Sequence, residues 1–126
     1  MKLRVLDDSV RLRLARSEVD AIATGDEVTA STHFPGNTAL GYVLCCRNVN
    51  AITAALEGAT LRVTLPAGAA RAWAVSDEVS LRAMQPLEGG RTLAILVEKD
   101  FECVAPREGE SQSDRFPNPK SGSDCA

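Results

Sequence analysis

The feature that most restricts how this chain can fold is an echo. The stretch "DEVTAS", beginning at Asp26, returns 51 residues later as "DEVSLR", beginning at Asp77. Laid over itself at that offset without a gap, the chain places residues 9–35 on residues 60–86. Identities fall at Arg11/Arg62, Leu14/Leu65, Ala21/Ala72, Ala23/Ala74, Asp26/Asp77, Glu27/Glu78, Val28/Val79 and Pro35/Pro86. The apolar pattern agrees where the letters differ, as at Val10/Leu61, Leu12/Val63, Ile22/Trp73 and Leu44/Ile95. Two copies of one supersecondary unit is the economical explanation.

Each copy reads alike. Val10, Leu12 and Leu14 alternate with Arg11 and Arg13, the period of a strand with one buried face, as do Leu61, Val63 and Leu65. A short helix follows. Ser17 is its expected N-cap in the first copy, with Glu18 and Asp20 in the first turn and Gly25 at the left-handed position after the last turn. In the second copy Pro66 opens the segment and "AGAARAWA" supplies helix propensity. A strand, a turn ("PGN" or "LEGG") and a closing strand ("ALGYVLCC" or "RTLAILVE") complete each unit, and a short strand ("KLRVL" or "AITAAL") precedes it. The expected fold is therefore mostly β with two short helices, an α+β chain of duplicated ββαββ units. One such curled unit cannot cover its own apolar face, whereas two related by a pseudo-twofold axis can close a barrel and remove their edges. Residues 1–104 are read as a single barrel domain made of repeats 1–51 and 52–104. Residues 105–126, rich in Pro, Gly, Ser and charge, are read as a flexible carboxy-terminal tail in which Phe116 of "RFPNP" is placed to dock.

Composition narrows function by exclusion. Aromatic residues make up 4% of the 126, so stacking platforms for bases or sugars are poorly provided. Net charge is −3, which argues against strong nonspecific binding to nucleic acid. No apolar run is long enough for a transmembrane helix, and Asp7 and Asp8 interrupt the start before a signal-peptide core develops, so a cytoplasmic location without membrane contact is the expectation. Cys45, Cys46, Cys103 and Cys125 lack CxxC spacing, and adjacent Cys45 and Cys46 point to opposite faces of a strand, so reduced structural cysteines are expected and no metal or other cofactor is implied.

At "VRLRLARSEVDAIATGDEVTAS" and "LRVTLPAGAARAWAVSDEVSLR" the chain resembles the swapped-hairpin domains of AbrB/MazE type and, more broadly, the cradle-loop barrels, double-psi and RIFT barrels included. The turns at Gly25-Asp26 and Ser76-Asp77 correspond to what that group calls a GD box. The resemblance implies a barrel built by two halves, with this chain similar to a fused dimer, and it implies DNA contact by arginines near the first strand. Separately, "LVEKDFECVAPRE" followed by "RFPNP" resembles the carboxy-terminal signature of a family of small bacterial proteins of unknown function, a likeness that reaches back to "RLRLARSEV". It implies no activity.

Two groups of residues are candidates for a site. Arg4, Arg11, Arg13 and Arg16 cluster in sequence and are the candidate nucleic-acid contacts; a solvated strand face is the plainer reading. Glu98 and Asp100 share a strand face, a spacing open to acid/base work or a hard cation, against a solvated strand end with Phe101 and Cys103 turned inward. His33 stands alone, with Met84 as its counterpart, and is read as a partly buried strand position. The ExExK signature of triphosphate-tunnel enzymes, GxSxG, P-loop and HExxH are all absent. The expectation is an uncharacterised non-enzymatic binding or interaction protein, monomeric or homodimeric, whose partner is a protein or small ligand. The alternative is a DNA-binding regulator or antitoxin-like module using the first copy's arginines.

Overall fold

In the computed structural model, residues 1–101 and Phe116 are described. The chain runs β1 (Lys2–Val5), β2 (Ser9–Leu14), α1 (Arg16–Ala23), β3 (Val28–Phe34), β4 (Thr38–Arg47), β5 (Thr53–Glu57), β6 (Thr60–Pro66), α2 (Ala67–Ala74), β7 (Ser80–Pro86), a 3₁₀ turn (Glu88–Gly90) and β8 (Thr92–Lys99). It is mostly β with two helices, arranged as two four-stranded sheets of order β1-β2-β8-β7 and β3-β4-β6-β5. The expected closed barrel is not found. Each sheet keeps two edge strands, and edges β5 and β7 are linked through a side chain, the Ala54 N–H of β5 donating to Gln85 Oε1 of β7 at 2.7 Å. Lysine and arginine on β1 are the usual guard of such an edge.

In both sheets the two central strands run parallel, β2 beside β8 and β4 beside β6, and their flanking partners are antiparallel. Alternation in β2 turns Val10, Leu12 and Leu14 inward, and β8 answers with Ile95 and Val97. Leu44, Val63 and Leu65 do the same from the other sheet. The helices pack against each other and close the core, α1 with Val19 and Ile22, α2 with Ala70 and Trp73. Ala70 is small enough to let the helices approach, and Trp73 fills the space that this leaves. Deleting a fully buried leucine such as Leu14 would remove about 2–5 kcal/mol.

The two helices end differently. After α1 the Asp26 N–H donates to Ala21 O at 2.9 Å and the Gly25 N–H to Ile22 O at 3.1 Å, a Schellman motif with Gly25 at φ +87°. After α2, Ser76 stands where Gly25 did and keeps a negative φ; its hydroxyl donates to Trp73 O at 3.1 Å and accepts from the Glu78 N–H at 3.2 Å. This exit is more gradual, and it shifts the strands that follow. Leu12 lies opposite Val97, and Val63, its counterpart 51 residues on, lies opposite Leu44. Leu44 therefore matches Val97, 53 residues on, and not Ile95. By the same register Val28 matches Leu81 and not Val79. Val28 is buried, while Val79 is 42% exposed. The "DEV" echo that exposes the likeness thus falls out of step in the folded chain.

Other expectations are corrected too. The N-cap of α1 is Ala15, not Ser17, and Glu18 Oε1 accepts from the Ala15 N–H at 2.8 Å while Glu18 Oε2 binds the Met1 ammonium at 2.6 Å. His33 is exposed on β3, not partly buried. Cys103, Cys125 and the expected flexibility of residues 105–126 lie outside the described residues, Phe116 apart. Among the described residues no helix is long and apolar enough to cross a membrane.

Candidate functional site

The outer face of the β1-β2-β8-β7 sheet carries the charge. Arg13 lies directly opposite Glu98 in the parallel pair, with Nε 3.2 Å from Glu98 Oε1 and Nη2 3.2 Å from Asp100 Oδ1. Arg11 donates from Nε to the same Glu98 oxygen at 2.6 Å, and Lys2 Nζ sits 3.3 Å from Asp100 Oδ2. Asp100 is 5% exposed, and its own N–H continues the ladder by donating to Leu14 O at 2.8 Å. Glu98 and Asp100 are therefore not a solvated strand end. They are carboxylates held by three cations, Arg11, Arg13 and Lys2, an arrangement that fixes the end of β8. No cluster of three or more His, Cys, Asp or Glu suited to a metal occurs among the described residues.

Of the four arginines grouped by sequence, the fold brings Arg4, Arg11 and Arg13 to one sheet face. Arg4 is the cross-strand partner of Arg11. Arg16 goes elsewhere, opening α1 with its guanidinium 5.7 Å from the Phe116 ring centre. Phe116 docks on the folded body: its N–H donates to Asp100 O at 2.9 Å and its ring meets Phe101 edge-on at 5.5 Å. Lys99, 4% exposed, points inward beneath it, lying 5.4 Å from the Trp73 ring centre and donating from Nζ to Ser76 O at 2.6 Å. Burial pushes the Lys99 ammonium below the ordinary lysine pKa, against a smaller opposite pull from Asp77 and Glu78.

Beside the ion-pair network lies a groove of about 720 Å³, within the range of small-molecule sites. Register explains its shape. One row across the sheet reads Arg4, Arg11, Leu96, Arg82, and the next reads Leu6, Ser9, Ala94, Met84. Small side chains at Ser9 and Ala94 make the floor, and large ones on the flanking strands make the walls. Leu6 and Met84 are 56% and 64% exposed, an apolar rim that water would not select. Arg4 and Arg82 line the same groove with no ion-pair partner among the described residues. Arg11 is drawn toward Glu98. The Ser9 hydroxyl is spent on Leu6 O at 2.6 Å.

Sequence reasoning missed Leu6, Arg82, Met84 and Lys99. Leu6 and Met84 look like ordinary strand residues, and Arg82 enters the site only because β7 pairs with β8 so that Arg82 faces Leu96.

Fold and site together define a small, mostly β protein of two four-stranded sheets, with a groove and an ion-pair network sharing one outer sheet face. Residues 1–120 match the family described as "Family of unknown function (DUF7009)", and the chain belongs to that family. No curated protein and no solved structure matches the chain.

Proposed function

We propose that this chain is a non-enzymatic binding protein and that the groove on the β1-β2-β8-β7 sheet is its ligand site. The observation that carries this is the pairing of exposed Leu6 and Met84 with Arg4 and Arg82, cations without an ion-pair partner among the described residues, around a floor of small residues. A solvated strand face does not need that combination, since exposed apolar side chains gain nothing there and bare arginines usually acquire an acidic neighbour. Binding rather than catalysis is supported by the lining: among the described residues its one hydroxyl, Ser9, is occupied, and no histidine or carboxylate lines the groove. We further read the chain as a duplicated swapped-hairpin unit akin to cradle-loop proteins. The order strand, strand, helix, strand, strand occurs twice, and each sheet combines the leading hairpin of one half with the closing hairpin of the other, which supports that reading.

The regulator reading is weaker on physical grounds. Arg11 and Arg13 are neutralised by Glu98 and Asp100, and Arg16 faces Phe116, so among the described residues Arg4 alone of the four lacks such a contact and is open to phosphate. One or two contacts leave affinity for a polyanion low and steeply salt-dependent.

Titration with Nile red, a neutral dye that brightens in apolar sites, tests the groove. Wild-type protein is expected to bind it, and Ala94→Trp, which fills the floor while leaving the core untouched, is expected to abolish the signal. Equal binding by both proteins, or by neither, removes the groove as the ligand site. A low-salt mobility shift on duplex DNA, lost on Arg4→Glu, would instead favour the regulator.

A further inference from the structure

Resting on the groove as binding site, we propose that its ligand is a free single-chain anionic amphiphile, an aliphatic chain ending in a carboxylate or a group of like charge. The two rows of the groove differ in kind and lie side by side. Arg4 and Arg82 flank one row on strands three spacings apart, about 14 Å between backbones. Their long side chains can both reach a head group seated over Leu96 between them. The neighbouring row, Leu6, Ser9, Ala94 and Met84, is open and apolar but for a Ser9 hydroxyl already bonded to Leu6 O, and receives the chain.

Charge complementarity fixes the sign of the head group. With Glu98 already shared by Arg11 and Arg13, the described residues offer Arg4 and Arg82 no anion of their own. In a chain of net charge −3 such a local pair is the feature that would draw an anion to this face. Backbone chemistry argues against a peptide as occupant. The groove lies on the face of a sheet whose central strands β2 and β8 are paired on both sides, so a peptide lying there would bury N–H and C=O groups without partners. An aliphatic chain has no such groups to satisfy.

The opposite sheet shows what an unspecialised outer face looks like in this protein. The corresponding rows there read Ala55, Arg62, Val43, Thr29 and Glu57, Thr60, Gly41, Ser31. The one arginine in these two rows is paired, Arg62 Nε to Glu57 Oε1 at 3.1 Å, and Glu57 occupies the place that Leu6 takes beside the groove. Where the opposite sheet has Ala55 and Thr29, this one has Arg4 and Arg82, and where it has Glu57, this one has Leu6. Those differences supply the cations and the apolar side chain of an amphiphile site.

The test displaces Nile red from the wild-type protein with dodecanoate, dodecan-1-ol, dodecyltrimethylammonium and acetate, each below its aggregation concentration. Dodecanoate is expected to displace at a concentration at least about tenfold lower than the other three, the size of effect one charge-assisted contact supplies. Arg4→Gln and Arg82→Gln, both at exposed edge-strand positions, are expected to weaken dodecanoate about tenfold while leaving dodecan-1-ol unchanged. Thermal unfolding of each variant confirms that it is folded. Dodecan-1-ol matching dodecanoate, or either arginine variant binding dodecanoate like wild type, overturns the anionic class while the groove reading stands. Absence of Nile red binding defeats the groove reading itself. Co-sedimentation with phosphatidylglycerol vesicles without displacement by monomeric dodecanoate would assign the face to a bilayer surface and overturn the free ligand.

Discussion

Arg13 faces Glu98 across one pair of parallel strands, and Thr64 faces Cys45 across the other. The register position is the same and the chemistry is not. In the first sheet Arg11 and Arg13 close on a shared carboxylate oxygen and Arg13 goes on to buried Asp100. In the second, Cys45 Sγ lies 3.6 Å from Thr64 Oγ1 and accepts a long contact of 3.8 Å from Arg62 Nη1. A hydroxyl and a thiol can be buried at little cost, whereas a carboxylate at that position must bring its cations with it. The charged version also ties Arg11, a groove-lining residue, to Glu98. The difference teaches that one backbone frame can serve either as inert packing or as the organiser of an adjacent site.

The largest expected effect breaks the charged side of this comparison. Arg13→Ala leaves Glu98 and Asp100 short of a cation and should cost about 3 kcal/mol, measured by urea unfolding. Thr64→Val, the matched change in the other sheet, should cost under about 1 kcal/mol. Equal losses would mean that the ion pairs carry no special weight.

A second comparison concerns the echo. Val28→Ala removes two buried methyl groups and should cost about 2 kcal/mol, whereas Val79→Ala should stay under about 0.5 kcal/mol. Similar penalties would restore the 51-residue alignment over the 53-residue one. The helix exits follow: Gly25→Ala forces an alanine to φ +87° and should cost about 1 kcal/mol, while Ser76→Ala loses only a local hydroxyl bridge and should cost less.

The smallest effect is a pH slope. Burial lowers the Lys99 pKa in the folded state, so the unfolded chain binds more protons between the folded value and the ordinary lysine value of 10.5. Stability contributed by this group should therefore rise as pH climbs through that window and be lowest below it. Lys99→Met should flatten the slope, as followed by unfolding at a series of alkaline pH values.

Much of the fold was legible. Alternation at Val10, Leu12 and Leu14 announced β2, and the left-handed turn at Gly25 was readable because only glycine enters that conformation freely. Less of the site was. Arg4 and Arg11 were named from their clustering, but as nucleic-acid contacts, and Glu98 and Asp100 were named as an acid/base or cation site or else a solvated strand end, not as the partners of Arg11 and Arg13. Their actual partners come from segments some 85 residues apart, and no local pattern records that Arg13 will face Glu98.

The sequence by itself determined the order of strands and helices and the faces turned inward, because periodicity and turn chemistry act over a few neighbouring residues. Tertiary structure alone decided which strands became parallel neighbours, how the exit from α2 displaced the second hairpin by two residues, and where Leu6, Met84, Arg4 and Arg82 met. Cross-strand register is set by pairing between distant segments. A shift of two residues keeps every inward side chain inward while changing each of its opposite partners, so the hydrophobic pattern that specifies the strand is silent about the site.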